Sequence, residues 1–317
     1  MTHTTTLTAG IDTAKDKLDF AVHGLAVHFS TSNDRVGWQK IAAECKRLGI
    51  SRVGIEATGG YERGVTQHLR QAGYTVLVLQ PMQTKAVARL NLARAKNDRI
   101  DAFLVAAAAH LTQDPGLEHD PRMLDFADHL TFIEQVEEDI TRAKTRIEHT
   151  HIPRLRRIAT QKIKSLQALR DKELQRLAAS LRTQPDLARR LELVLSIPGI
   201  GERTAIAIVV LMPELGRINR EQAAALAGLA PFDNDSGQHR GQRHIAGGRG
   251  RLRRSLYLAA LAAAFRWNPA LKDLYQRLIK AGKPHKTALV ACARKLLIFA
   301  NTVVQRGKPW IKNQQCG

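Results

Sequence analysis

The period of hydrophobic and polar positions changes along the 317 residues, and each change predicts a different architecture. Up to about residue 80 the apolar residues come in short β-rich or alternating runs separated by turn residues. TLTAGID (6–12), KLDFAVHG (17–24) and LAVHFSTS (25–32) read as a three-stranded meander, with Gly24 as a turn signal. From Asn33 onwards Val36, Ile41, Ala42 and Cys45 have helical spacing, with Asn33 placed to cap the helix and Gly49 to end it. SRVGIE then reads as a strand that runs into Gly59 and Gly60, and a helix follows through Ala72. YTVLVLQ (74–80) is a strand that Pro81 stops. A last helix starts near Asp98 and runs through alanines to His110. The order β-β-β-α-β-α-β-α-α predicts a mixed sheet covered by helices. A dinucleotide-binding unit is excluded, because no GxGxxG follows the first strand.

Beyond about residue 126 the pattern is helical. Ile133, Val136, Ile140 and Ile147 form a stripe that Pro153 breaks and that Leu166, Leu169, Leu174, Leu177 and Leu181 resume. Two long helices are expected, packed as a hairpin or against another subunit. Residues 191–212 read as two apolar helices flanking Pro198-Gly199-Ile200-Gly201, which resembles a helix-hairpin-helix. After a helix near Ala223–Ala227, residues 228–250 are rich in Gly, Asp, Asn, Ser, His and Arg and read as an extended loop. A helix then starts near Arg251, and further basic helices fill the stretch from Pro269. The chain thus divides into an α/β domain (1–125), a helical connector (126–190) and a mainly helical C-terminal domain (191–317).

Charge narrows the function. The formal net charge of +20 is unevenly spread: 15 basic against 13 acidic residues in 1–125, 14 against 9 in 126–190, and 20 against 7 in 191–317. This asymmetry points to a polyanionic partner, nucleic acid rather than an anionic membrane, since no long basic amphipathic stretch with bulky aromatics is present. The most apolar runs are too short and too close to charges to span a bilayer and read as buried helices. Cys45, Cys292 and Cys316 make no disulfide framework or metal motif, and the first residues lack the build of a signal peptide, so an intracellular protein is expected.

Four acids then stand out in the first domain. Asp12 ends the first strand, Glu56 ends VGIE, and Asp98 and Asp101 share one face near the start of a helix. Sites of open sheets lie beyond strand ends, so the four can converge. Convergent carboxylates repel one another unless cations lie between them, and hard oxygen ligands suit Mg²⁺ or Mn²⁺. Two such ions would make a phosphodiester-processing site of ribonuclease H-like type. Each acid can also be a solvated surface group, and Asp98 can be an N-cap. In the C-terminal half, Gly199, Gly201 and Arg203 are placed to bind a phosphate at a helix start, or to close a packed hairpin. The loop holds one serine, Ser236, with Arg240, Arg243, Arg249, Arg251, Arg253 and Arg254 around it in sequence. Its hydroxyl can attack a phosphodiester in that field, or contact a phosphate from a turn. A metal-dependent nuclease using water, and a non-catalytic nucleic-acid-binding protein, are the rival readings.

The stretches AGIDTAKDKLDFAV, GIEATGGYERGV, NDRIDA, SIPGIGERTA, LAGLAPFDNDSG and GRGRLRRSLYLAA occur in the order in which they occur in one family. Over about residues 8–310 the chain resembles transposases of the IS110/IS1111/IS116/IS902 type. The resemblance implies a RuvC-like, ribonuclease H-like domain whose Asp-Glu-Asp-Asp site falls on Asp12, Glu56, Asp98 and Asp101. It also implies a coiled-coil connector and a C-terminal transposase domain whose catalytic serine falls on Ser236. It implies two Mg²⁺ or Mn²⁺ ions, double-stranded DNA at element ends and target, a homodimer or tetramer, and work at the nucleoid in the bacterial cytoplasm. Some members use a structured guide RNA, which pairs with both target and donor DNA.

Overall fold

Alternation in the first third folds as the period predicts. The computed structural model describes residues 7–90, 98–112, 120–232, 235–236, 239–240 and 244–311. Its first compact unit is 1–119 and its second 120–317. In the first, strands β1 (Thr8–Thr13), β2 (Lys17–Val22) and β3 (His28–Ser32) form an antiparallel meander. Helix α1 (Arg35–Arg47) leads to β4 (Arg52–Glu56), and α2 (Arg63–Gln71) leads to β5 (Thr75–Leu79). Both of these strands run parallel to β1, giving the mixed order β3-β2-β1-β4-β5. Helices α3 (Pro81–Leu90) and α4 (Asp98–Leu111) close the unit.

Side-chain alternation splits the core across the sheet. Ala9, Ile11, Val53, Ile55, Leu18 and Phe20 pack on one face with Ile41 and Cys45 of α1 and Val65 and Leu69 of α2. Leu77 and Leu79 face the other way, against Val87 of α3 and Val105 and Ala109 of α4. One local expectation changes. The cap of α1 is Asp34, which accepts from the Gly37 N–H at 3.0 Å, because the helix starts one residue later than expected. Asn33 instead ties loops together, donating to the carbonyls of Ala14 and Tyr61 and accepting from the Trp38 indole.

The second unit is helical. Helices α5 (Arg122–Glu148) and α6 (Pro153–Arg182) pack on each other as a hairpin. Val136, Ile140 and Ile163 fill its outer part, while Leu130, Ile133, Leu177 and Leu181 join the main core. Helices α7 (Pro185–Leu195), α8 (Glu202–Leu211) and α9 (Arg220–Leu226) follow. The stretch expected to be an open loop carries two short antiparallel ladders. β6 (Pro231–Phe232) pairs with β9 (His244–Ile245), and between them β7 (Asp235–Ser236) pairs with β8 (His239–Arg240). Two-residue ladders leave no hydrophobic period to read, which is why pattern alone makes this segment a loop. α10 (Gly250–Ala262), a π-helical turn (Ala263–Trp267), α11 (Pro269–Lys280) and α12 (His285–Arg306) complete the unit. By length and composition α12 could cross a membrane, contrary to the expectation that no stretch qualifies. However, 56% of its most apolar window is buried inside the protein, where Leu289, Leu296 and Phe299 join the helical core.

Candidate active site

A pair of glycines positions the acids. In the parallel ladder Gly10 of β1 lies beside Gly54 of β4, so two neighbouring strands present bare backbone on the same face. α4 lies on this floor. A Cβ at Gly10 would meet the Ala106 backbone and lie 2.5 Å from the Ala102 carbonyl, and one at Gly54 would meet Ala109. The alanines of α4 are the matching half of this close approach. Two residues on from each glycine, on the same face, are Asp12 and Glu56. Asp101 is one residue before Ala102, in the first turn of α4, and Asp98 is the helix's first residue. The helix start also carries the positive end of its dipole, which favours anionic groups. Gly10→Ala should therefore lose about 1–3 kcal/mol of stability by forcing α4 off the sheet. Urea unfolding checks this, and unchanged stability would remove the close-packing argument.

The Asp12 carboxyl is pushed up to about 6. Burial is the largest cause, followed by the charges of Asp101 and Glu56; the Thr13 N–H opposes the shift and Asp19 adds to it. Burial and neighbouring negative charge both disfavour the ionised carboxylate. The neighbouring hydroxyls are ordered. Thr84 donates to Glu56 Oε2 at 3.1 Å, and the Thr13 and Thr58 hydroxyls are 2.7 Å apart. Glu62 accepts from Thr58 N–H, Thr58 hydroxyl and Gly60 N–H, fixing the turn after Glu56. Burial raises the Glu62 carboxyl, but these bonds outweigh it and hold it below the ordinary range. Asp19, cross-strand from Asp12, is buried and accepts from Ser30 at 2.5 Å and Lys17 at 2.9 Å.

The donor chemistry of Asp12, Glu56 and Asp101 fits a hard divalent cation. All the donors are carboxylate oxygens, and Asp12 feels the other two charges. Among the described residues, no group of three or more His, Cys, Asp or Glu side chains is gathered closely enough to hold an ion.

In the second unit, Ser236 lies in the short β7–β8 ribbon, directly opposite His239, and Asp235 lies opposite Arg240. Arg243 lies outside the described residues. The other arginines do several jobs. Arg249 makes a two-pronged bond to the buried Glu214 at 2.6 and 2.5 Å and donates to the Leu211 carbonyl. Burial raises Glu214, and Arg249 outweighs it, keeping the carboxyl low. Arg253 donates to the carbonyls of Gly228 and Gly247. Arg203 bonds Glu134 and Glu137, and Arg251 bonds Glu134 at 2.5 Å. Burial works against the Arg203 charge, and the two glutamates outweigh it. Arg254 differs: its side chain is 73% exposed and only 3.7 Å from Glu138.

The Pro198–Gly201 turn joins α7 to α8. Gly199, at φ +97°, is there because a Cβ would strike Ala263 of the π-helical turn. Gly201 is the α8 N-cap and has open space around it. Arg203, Arg251, Arg254, Gly199 and Gly201 share a cleft of about 820 Å³ with the glutamates of α5.

Sequence reasoning missed Gly10, Gly54, Thr13, Thr58, Glu62 and Thr84. A signal existed for the first two: glycine inside a strand pattern marks close backbone approach.

Two stretches of the chain match family models of known proteins. Residues 9–151 match a family model described as a transposase of the IS110 DEDD type, and residues 191–276 match the IS116/IS110/IS902 transposase family. The pilin gene-inverting protein of Moraxella bovis is 26% identical over 319 residues, covering 96% of this chain and 97% of that protein. Its counterpart in Moraxella lacunata is equally similar. A protein of insertion element IS110 from Streptomyces coelicolor is 32% identical over 114 residues, 35% of this chain and 28% of that protein.

Proposed function

Because the chain belongs to the IS116/IS110/IS902 family of transposases, we propose that it cleaves and rejoins DNA strands with a divalent-metal carboxylate site and a serine nucleophile. The observation that supports the reading is the glycine floor under α4, which lets that helix lie directly on β1 and β4, the strands that carry Asp12 and Glu56. The order β3-β2-β1-β4-β5 supports a RuvC-like, ribonuclease H-like identity for residues 1–125. Residues 126–190 are the coiled-coil connector and 191–317 the transposase domain of this proposal.

Asp12, Glu56, Asp98 and Asp101 are the metal ligands in this reading. Two Mg²⁺ or Mn²⁺ ions bound there would polarise the phosphodiester and stabilise charge on the departing oxygen. Ser236 Oγ would attack phosphorus and lose its proton to solvent. The bond to the 3′ oxygen breaks, that oxygen takes a proton from solvent, and the 5′ phosphate remains esterified to Ser236. A 3′ hydroxyl from another strand then attacks the same phosphorus, restores a phosphodiester and releases the serine, so no ATP is needed. Reversal of a DNA segment, the activity named for the Moraxella relatives, is one outcome of such paired exchanges.

Phosphate contacts are assigned to the open Gly199–Gly201 turn as a helix-hairpin-helix element, to Arg254, and to Arg240 and Arg243, which follow the serine in sequence. Arg203, Arg249, Arg251 and Arg253 hold the scaffold that presents them. Arg249→Ala, which strands the buried Glu214, should cost about 3 kcal/mol of stability. Arg254→Ala should change stability by less than about 0.5 kcal/mol, yet weaken DNA binding uniformly across sequences and reduce its salt dependence. Thermal unfolding and salt-titrated binding distinguish the two. Similar behaviour of both variants would undo the division. A homodimer or tetramer is proposed through the α5–α6 hairpin, whose turn exposes Ile152, Leu155 and Ile158. A structured guide RNA and work at the bacterial nucleoid complete the reading. Sequencing RNA copurified from the native genomic context, followed by strand-exchange assays with wild type and Ser236→Ala, tests it.

A further inference from the structure

α10 does not end as an ordinary helix. Its last turn, Ala263–Trp267, is π-helical, and the chain then passes through the buried Asn268 into α11. A π-helical turn is rare and occurs frequently at functional sites. This one delivers Trp267 to the surface, where the residue is 61% exposed. Trp267 borders a cleft of about 700 Å³ whose lining also includes Trp310, Arg277, Lys295 and Asp273.

The cleft is built rather than incidental. Asn268 donates to the Pro198 carbonyl at 3.1 Å and caps α11 by accepting from the Leu271 N–H, which fixes the chain directly after Trp267. Trp310 is pinned by its own N–H, which donates to the Ser196 hydroxyl at 2.8 Å, and by its ring, which packs on Phe299 with centroids 4.4 Å apart. Lys295 Nζ lies 5.3 Å from the centroid of that same Phe299 ring. Arg203, Arg249 and Arg251 are neutralised by glutamates, whereas Arg277 and Lys295 form no ion pair among the described residues.

We propose that this cleft binds one unpaired nucleotide. Indole faces stack on a base of any kind, and two cations beside them suit the attached phosphate. Asp273 adds an acceptor for an exocyclic amine, so cytosine, adenine and guanine should be favoured over thymine or uracil. Bases inside a duplex have their faces covered by neighbours, so the ligand is a separated DNA strand or an unpaired stretch of RNA, which share this chemistry. The site uses none of the proposed metal ligands or Ser236, and its occupancy requires no cleavage.

The test uses the full chain carrying Asp12→Asn, in EDTA, with single-stranded DNA, RNA of the same sequence and blunt duplex DNA, each labelled with a photoreactive halogenated cytosine, which keeps the exocyclic amine. Crosslinks from single strands should map to Trp267 or Trp310. Trp267→Ala should weaken single-strand binding about tenfold while leaving the Tm and duplex binding unchanged. Trp267→Phe should restore most of the loss, and Arg277→Ala should lower the salt dependence of binding. Whichever of DNA and RNA shows the tryptophan-dependent binding identifies the source. Crosslinks confined to other residues, or wild-type affinity in both Trp267→Ala and Arg277→Ala, would overturn the proposal. Because nothing is cleaved in this assay, failure here is separate from failure of the serine and carboxylate assignments.

Discussion

Ser236→Ala should abolish strand exchange and the covalent protein–DNA intermediate, with a loss of about a thousandfold or more, while DNA binding stays within about twofold. The size of the effect follows from the role. A nucleophile that is removed leaves only positioning and charge stabilisation behind, and neither can keep the phosphodiester energy in the chain. Ser236 lies in the two-residue β7–β8 ribbon, and removing one hydroxyl oxygen there should leave the variant folded. Ser255→Ala is the matched control. Ser255 is buried in α10, and its loss should touch stability rather than chemistry. Denaturing gels of reactions with end-labelled DNA read both variants. Strand cleavage surviving in Ser236→Ala, with no rejoining and no adduct, would return the enzyme to the water-using nuclease reading.

Asp12→Asn carries the second large effect, and its two consequences run in opposite directions. Cleavage in Mg²⁺ should fall by at least about a hundredfold, because one of the proposed carboxylate ligands is lost. Stability without metal should rise. An acid raised from 3.8 to about 6 on folding binds its proton more tightly in the folded state. Its contribution is therefore favourable at low pH and is lost as the pH rises through the window from about 4 to 6. The full shift would correspond to about 3 kcal/mol, and solvent screening of this half-buried group reduces the expected gain at pH 7 to about 1 kcal/mol. Urea unfolding in EDTA at pH 4 and pH 7 tests the sign: Asn should stabilise at pH 7 and make little difference at pH 4. A variant less stable than wild type at pH 7 would show that Asp12 is a structural carboxylate rather than one of a set of repelling neighbours.

Much of the first unit was readable because its elements are single-period segments. β1, β4 and β5 are short apolar runs closed by Asp12, Glu56 and Pro81, and α1 has a clear helical stripe. Asp12 and Glu56 were readable as strand-end residues and Asp98 and Asp101 as residues of a helix start. What escaped was how closely α4 lies on β1 and β4. Gly10 and Gly54 are 44 positions apart, and only the parallel register makes them neighbours. The hydroxyls of Thr13, Thr58 and Thr84 were invisible for the same reason, since each acts across elements. The arginine cluster misled in a different way. Six arginines near one serine suggest one electropositive surface, yet Arg249 finds Glu214 at 35 positions' distance and Arg251 finds Glu134 at 117. Charge counted along the chain cannot distinguish a cation that meets a phosphate from one already spent on a glutamate.

The central claim is that carboxylates and a serine act on one phosphodiester, and the most direct test is to trap the intermediate. DNA nicked so that the released strand diffuses away should accumulate a covalent complex with the full-length protein in Mg²⁺, and peptide mapping should place the phosphate on Ser236. EDTA or Asp12→Asn should prevent it. Cleavage that proceeds with free 5′ phosphate ends and no adduct, or an adduct that forms equally well in Asp12→Asn, would contradict the account.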